Sequence, residues 1–352
     1  MQRICSSLSQ AGYDVTLIGR QLPASKVLKE MPFKQKRLKC IFNKGKLFYL
    51  EYNLRLFIFF LFLRKFDAIC AVDLDTLLAG TKAAKLRRKK IIYDAHEYFT
   101  QVPEVVERPK VQKIWNWVAQ RCIPRCDAAY TVCQSLASEF KKCYGKDFEV
   151  IRNLPLAQPL LDHKDDPKKP FILLYQGMLN DGRGLEEMLL AMQQFNASEV
   201  QFWLAGEGDL SETLRKLAKE LKLGERVKFL GFVDPSELKT LTKESDIGIN
   251  LLKNKGLNYY YSLANKFFDY VMAEKPSINM DFPEYRLHCE EFEVGLLLKD
   301  LNSETIVNAV NSILLEEKRY NELKANCRRA KAVWTWEQEA EKLLLVYKKL
   351  FL

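Results

Sequence analysis

Gly256-Leu-Asn-Tyr-Tyr-Tyr-Ser-Leu-Ala-Asn-Lys-Phe-Phe-Asp-Tyr-Val-Met-Ala-Glu-Lys-Pro-Ser-Ile-Asn-Met280 opens as a polar, aromatic loop. Leu263, Phe267, Tyr270 and Val271 then recur at spacings of three and four, which predicts a helix over 263–273 with one face packed inward. Pro276 ends that helix, and Ser277-Ile278-Asn279 reads as a short strand. Ser262, Asn265 and Lys266 fall in the expected first turn, where unpaired backbone N–H groups and a lysine suit an anion such as a diphosphate. One turn further on, Asp269 is placed to accept hydrogen bonds from paired hydroxyls. Phosphate and ribose together suggest a nucleotide, although an ordinary amphipathic helix after a loop shows the same apolar spacing.

Outward from this stretch, short apolar runs alternate with helical patterns. In the second half, Phe171–Tyr175, Val200–Ala205, Val227–Val233 and Ser245–Asn250 read as strands. Gln176-Gly-Met-Leu-Asn-Asp-Gly-Arg-Gly-Leu185 is a glycine-rich strand-to-helix turn with Arg183 at the helix start, a phosphate site by geometry but a weak motif alone. Gly206-Glu-Gly-Asp209 is a second such turn. In the first half, strands are expected at 15–18, 67–73, 90–95, 128–133 and 148–152, with helices between them. This is the pattern of doubly wound parallel sheets, in which ligands sit beyond the carboxyl ends of the strands. Asp73, Asp75, Asp94, His96 and Glu97 all lie at such ends. Residues 153–169 carry three prolines and the charge run Asp162–Asp166, and read as a linker.

Tyr261-Ser-Leu-Ala-Asn-Lys-Phe-Phe-Asp-Tyr-Val-Met-Ala-Glu-Lys-Pro-Ser-Ile278 resembles the donor-site helix of retaining GT-B glycosyltransferases of family 4, in the variant with a Ser-Leu-Pro-Asn-Lys loop. The resemblance is good over about residues 90–350 and loose over 1–90. Two departures stand out. The first of the family's two spaced acidic residues would fall at Tyr261, and Met178 replaces one of two usual diphosphate cations, while Arg183 matches the other.

The resemblance implies two Rossmann-like α/β domains facing a cleft: a basic, acceptor-side domain over 1–155, a linker over 156–169, a nucleotide-sugar domain over 170–333, and a helix over 334–352 crossing back to the first. Family members also carry a strand and a glycine-bearing loop ahead of the helix that here begins at Gln2. A gap or open edge in the first sheet is therefore expected, and extending the chain upstream is expected to supply the missing strand.

The implied activity is transfer of a sugar, with retention of configuration, from a nucleotide-sugar such as a UDP- or GDP-sugar to a glycan or lipid-linked glycan. Cell-surface polysaccharide synthesis is the expected setting. No cofactor and no obligatory metal are implied. Arg183, Lys266 and His96 are the expected catalytic groups. The donor is assigned to Gly177, Arg183, Glu207, Phe232, Val233, Tyr261, Ser262, Asn265, Lys266 and Asp269, with the nucleobase against the turn Gly231-Phe-Val233. Asp94, His96 and Glu97 are assigned to the acceptor side, Asp94 orienting the His96 ring. A non-catalytic partner subunit and a sugar-nucleotide epimerase on the same fold remain alternatives.

Composition bounds these readings. At 352 residues with 48% hydrophobic and 28% charged content, the chain suits two globular domains. Nine cysteines without a CxxC pair point to reduced thiols in the cytoplasm, and no apolar leader follows Met1. The net charge of +10 is uneven: residues 1–160 hold 28 Lys and Arg against 14 Asp and Glu, and the remainder 27 against 31. No nucleic-acid-binding motif accompanies the basic half, which leaves an anionic membrane surface or plain solvated lysines. The basic segment 26–46 precedes Leu56-Phe-Ile-Phe-Phe-Leu-Phe-Leu63, eight apolar residues where a membrane span needs about 20. Burial is favoured for that run over a position in the membrane interface, with a peripheral site on the inner face of the plasma membrane as the alternative.

Overall fold

The structure, a computed structural model, describes residues 1–23, 25–158, 170–196 and 198–352. The part of the expected linker from 159 to 169 lies outside them. The chain forms two compact units, residues 1–152 with 336–352, and residues 153–335.

In the first unit the strands are β1 (Thr16–Gln21), β2 (Lys34–Lys39), β3 (Ala68–Val72), β4 (Lys90–Ala95), β5 (Ala128–Thr131) and β6 (Glu149–Val150). All pair in parallel, but in two pieces: β1 with β2, and a four-stranded sheet in the order β3-β4-β5-β6. Among the described residues no strand joins the two pieces. β2 escaped the sequence reading. Lys-Gln-Lys-Arg-Leu-Lys shows no alternation of apolar and polar residues, and the strand exists because β1 supplies its hydrogen-bonding partners.

The apolar run 56–63 belongs to a longer helix, Gly45–Phe62. The expectation of burial holds for only part of it. Tyr52 and Leu56 are buried with Ala79 of the helix Leu74–Arg87, while Leu50, Leu54, Ile58 and Phe62 face outward.

The last helix, Trp336–Phe351, belongs to the first unit. Its Trp336, Leu343, Val346 and Tyr347 form one apolar cluster with Ile4 and Leu8 of the helix Gln2–Gln10 and with Ile92, Tyr130 and Ile151. One ion pair secures it. Glu339, fully buried, accepts from the Arg152 backbone N–H at 2.8 Å, Nε at 3.0 Å and Nη2 at 2.8 Å, and from Lys342 Nζ at 2.9 Å.

The second unit holds one six-stranded parallel sheet. Its strands are β7 (Phe171–Gln176), β8 (Val200–Ala205), β9 (Val227–Gly231), β10 (Ile247–Asn250), β11 (Ser277–Met280) and β12 (Gly295–Leu298). The order is β12-β11-β10-β7-β8-β9, so the direction of winding reverses between β10 and β7. In doubly wound sheets, a crevice for ligands opens at the carboxyl ends beside such a switch point. β7 to β11 match strands expected from the sequence, β7 and β8 most clearly because both faces are covered and they read as apolar runs, whereas β12 was not among the expected strands.

Glu339→Ala removes a fully buried carboxylate that accepts from the Arg152 backbone and guanidinium and from Lys342. It is expected to destabilise the first unit by about 3–5 kcal/mol. Urea denaturation followed by circular dichroism measures this, and a change below about 1 kcal/mol would remove Glu339 from its anchoring role.

Candidate functional site

The carboxyl ends of β7 and β10 are closed in by the helix Asn265–Met272, which is shorter than expected and capped at Ala264. Tyr270 seats it. Its hydroxyl donates to the Leu174 carbonyl of β7 at 2.9 Å and lies 3.3 Å from the Ile249 carbonyl of β10. Its ring lies on Gly248, where any Cβ would come within 2.2 Å of it. Tyr285 accepts from the Ala264 backbone N–H at 3.1 Å and fixes the helix start.

Lys266 and Asp269 therefore project at the switch point. The Lys266 ammonium stacks on the Tyr175 ring, 3.6 Å from its centroid, and passes beside Gly177, whose φ of +130° a side chain rarely adopts. Burial, and then the Arg183 guanidinium, push the Lys266 pKa well below the usual lysine range; Asp269 acts in the opposite sense. Arg183 stands over the Tyr259 ring at 5.0 Å, and its buried Nε has no hydrogen-bond partner among the described residues. Two nearby cations on the loop after β10 are neutralised, Lys253 by Glu187 at 2.9 Å and Lys255 by Asp181. Arg183 and Lys266 thus remain as converging cations, an arrangement that an incoming dianion would relieve.

The loops beneath them leave no room for side chains. A Cβ on Gly206 would sit 1.9 Å from the Gly177 carbonyl oxygen, and one on Gly184 2.4 Å from that of Leu251. Gly177, Gly184 and Gly206 all have positive φ. Backbone is thereby exposed where a phosphate needs close approach.

Asp269 accepts from Gln176 Nε2 at 3.0 Å, and Gln176 Oε1 in turn accepts from Thr242 at 2.9 Å. Gln176 and Thr242 were missed by the sequence reading. The only available signal was that Gln176 ends a strand beside the switch point. Ser262 departs from expectation: it precedes the helix, and its hydroxyl donates to the Tyr259 carbonyl at 2.7 Å. Asn265 is at the helix start, where its side-chain oxygen accepts from Asn153 at 2.9 Å. The Tyr261 ring lies tilted against that of Tyr260, with centroids 5.3 Å apart and planes at 54°. Glu207 pairs with Arg215 at 2.5 Å, and its carboxyl is held below the usual range by Ser211 and Arg215. Phe232 is 80% exposed at the end of β9 next to Gly231, whereas Val233, expected at the donor, is half-buried and packs against the cluster of Leu174, Ala205 and Tyr270. Met178 is exposed, and its carbonyl accepts from the Tyr175 hydroxyl at 2.7 Å.

In the first unit, Asp73, Asp94 and His96 converge at the ends of β3 and β4. Asp73, at φ +55°, accepts from the His96 backbone N–H at 2.8 Å. His96 Nε2 lies 3.1 Å from Asp94 Oδ1, an ion-pair distance without hydrogen-bond alignment, and buried Asp94 Oδ2 has no hydrogen-bond partner among the described residues. Burial raises Asp73 to about 7 despite the opposing pull of His96. Burial alone would lower His96, but Asp94 and Asp73 outweigh it and raise its pKa. Glu97 is raised by burial and by Glu104.

Two family profiles match the chain: "Glycosyltransferase Family 4" over residues 1–154 and "Glycosyl transferases group 1" over residues 161–330. Each half of the chain thus matches a glycosyltransferase family profile. Among similar proteins, EpsD of Bacillus subtilis, named as a glycosyltransferase, is 23% identical over 255 residues. That alignment takes in 65% of this chain and 62% of EpsD. Among solved structures, a sucrose-phosphate synthase from Thermosynechococcus elongatus superposes with a TM-score of 0.79 at 18% identity, covering 99% of this chain and 92% of that one. Anabaena HepE, solved in complex with UDP-glucose, superposes with a TM-score of 0.72 at 15% identity, covering 90% and 86%. The fold is GT-B.

Because Lys266 is depressed in the free protein, an anion bound against it will raise its pKa and draw in a proton. Binding of a nucleoside diphosphate is expected to take up a fraction of a proton as the pH rises toward the usual lysine range. Calorimetry in buffers of differing ionisation enthalpy reads the uptake, and Lys266→Met should abolish it. Identical proton uptake in the variant would exclude Lys266 as its source.

Proposed function

We propose that this protein transfers a sugar from a nucleotide-sugar to a hydroxyl of a glycan or lipid-linked glycan, with retention of configuration. The observation that carries this reading is the convergence of Arg183 and Lys266, neither paired with a carboxylate among the described residues, over a glycine-lined turn at the switch point. The bond from the anomeric carbon to the diphosphate breaks as the acceptor oxygen bonds to that carbon. Charge then grows on the departing diphosphate. Arg183 and Lys266 are fixed before the reaction and meet that charge without reorganising, which is where preorganised electrostatics contribute most. Asp269, held by Gln176, takes the ribose hydroxyls, and exposed Phe232 offers a stacking face for the base. The donor class is supported by HepE and by an Escherichia coli relative solved with UDP-2-fluoro glucose. On the acceptor side, Asp94, His96 and Glu97 are the proposed groups. Cell-surface polysaccharide synthesis is the proposed setting. The action is proposed to need no cofactor or metal.

One observation favours a second reading, a sugar-nucleotide-binding partner subunit without turnover: Met178 stands exposed where family members place a second cation.

Arg183→Ala is expected to lower kcat/KM by the equivalent of about 2–4 kcal/mol, by analogy with loss of one charge-stabilising donor. A radiolabelled-sugar transfer assay across UDP- and GDP-sugars tests it, and kinetics within threefold of the parent would defeat the assignment. Tight nucleotide-sugar binding with no transfer to any acceptor would favour the second reading.

Asp269→Ala is expected to weaken UDP or GDP itself, measured by the thermal shift on saturation. A change confined to acceptor KM would contradict the ribose role.

A further inference from the structure

The helix Gly45–Phe62 carries an apolar stripe that nothing among the described residues covers. Leu47, Leu50, Leu54, Ile58 and Phe62 recur every three or four residues on one side, all exposed, Leu50 at 68% and Phe62 at 80%. The stripe spans about 22 Å at 1.5 Å per residue. Its opposite side is committed to the core through Tyr52 and Leu56.

The neighbouring loop extends the patch. Glu51 accepts from the backbone N–H groups of Ile41 and Phe42 at 2.9 and 2.8 Å, and its pKa is lowered chiefly by these bonds. This pins two more exposed apolar side chains, Ile41 at 77% and Phe42, against the helix. Glu51 is also tied by Arg55 at 2.7 Å, so the one acidic residue of the helix is already neutralised.

Cations frame the stripe. Exposed Lys44 and Lys46 stand at its start, and exposed Arg64 and Lys65 just past its end. Exposed Lys36 of β2 lies over the Phe59 ring at 4.6 Å. Monomeric proteins rarely leave a contiguous apolar strip of this kind uncovered. No described helix is long and apolar enough to cross a membrane. A helix with one face buried, the other apolar, and lysines and arginines at both ends is suited to lie in the plane of an anionic lipid surface.

We propose that this face docks on an anionic bilayer, with Leu50, Leu54, Ile58 and Phe62 entering the headgroup–acyl boundary, joined by Ile41 and Phe42. Lys44, Lys46, Arg64 and Lys65 pair with lipid phosphates. The charge pattern selects this occupant over a second copy of the chain, because two like faces would oppose the same cations.

The full chain is tested by cosedimentation with vesicles of phosphatidylcholine alone and of phosphatidylcholine with phosphatidylglycerol. Binding is expected only with the anionic lipid. It should fall at least tenfold between about 0.1 M and about 1 M salt, where screening shortens from about 10 Å to about 3 Å. The double variant Leu54→Glu/Ile58→Glu should lose binding at least tenfold. Lys44→Glu/Lys46→Glu should weaken it and flatten its salt dependence. All four positions are exposed, so melting temperatures and nucleotide binding should stay at parent values, which separates loss of docking from loss of fold. Absence of binding to anionic vesicles, equal binding by the Leu54→Glu/Ile58→Glu variant, or a parent dimer that this variant dissociates would each overturn the proposal.

Discussion

Tyr270 resting on Gly248 is the constraint from which the second unit's site follows. A parallel sheet presents a crevice at its switch point, but the crevice is useful only if something holds charged side chains over it. Tyr270 does this by binding carbonyls on both strands that flank the reversal. Any residue larger than glycine at 248 would lift the ring, and with it Lys266 and Asp269, from the mouth of the crevice. The glycines at 177, 184 and 206 complete the arrangement by letting backbone approach where a Cβ would collide.

The electrostatics follow from that placement. Lys266 is held in a position where its charge is disfavoured, beside another cation, with a tyrosine ring as its closest compensation. A surface lysine and arginine would turn outward to water. Here the seating of the helix and the tight turn at Gly182–Gly184 hold both toward one point. The neighbouring pairs Lys253–Glu187 and Lys255–Asp181 absorb the local carboxylates and so keep them from filling the site.

Much of the fold could be read from the sequence, for a physical reason. Strands covered on both faces must be apolar throughout, so β7, β8 and β10 appear as short runs between glycine-rich turns. Arg183, Lys266 and Asp269 could be read because each sits at a helix start or one turn beyond it. What could not be read depends on partners distant in sequence. β2 is a strand only because β1 lies beside it. Ser262 looks like a helix-start residue but is taken up by Tyr259. Gln176 gains its position from Thr242, and Arg152 from Glu339 far along the chain. The end of the helix 45–62, from Leu56 on, reads as continuous apolar sequence, and only the packing of Tyr52 and Leu56 shows which side is left uncovered.

The Arg152–Glu339 pair joins residues 187 positions apart, and the cluster around Ile4 and Leu8 takes four of its nine buried members from the last helix. This has a consequence for synthesis on the ribosome. The segment that holds Ile4 and Leu8 is made long before Trp336–Phe351, and their shared cluster stays incomplete until that helix is released. The second unit is self-contained between these segments and can be complete while the first still waits. The usual N-to-C order of domain folding is thus reversed, and an unfinished chain exposes Ile4, Leu8 and Ile151 to chaperones rather than to a partner helix.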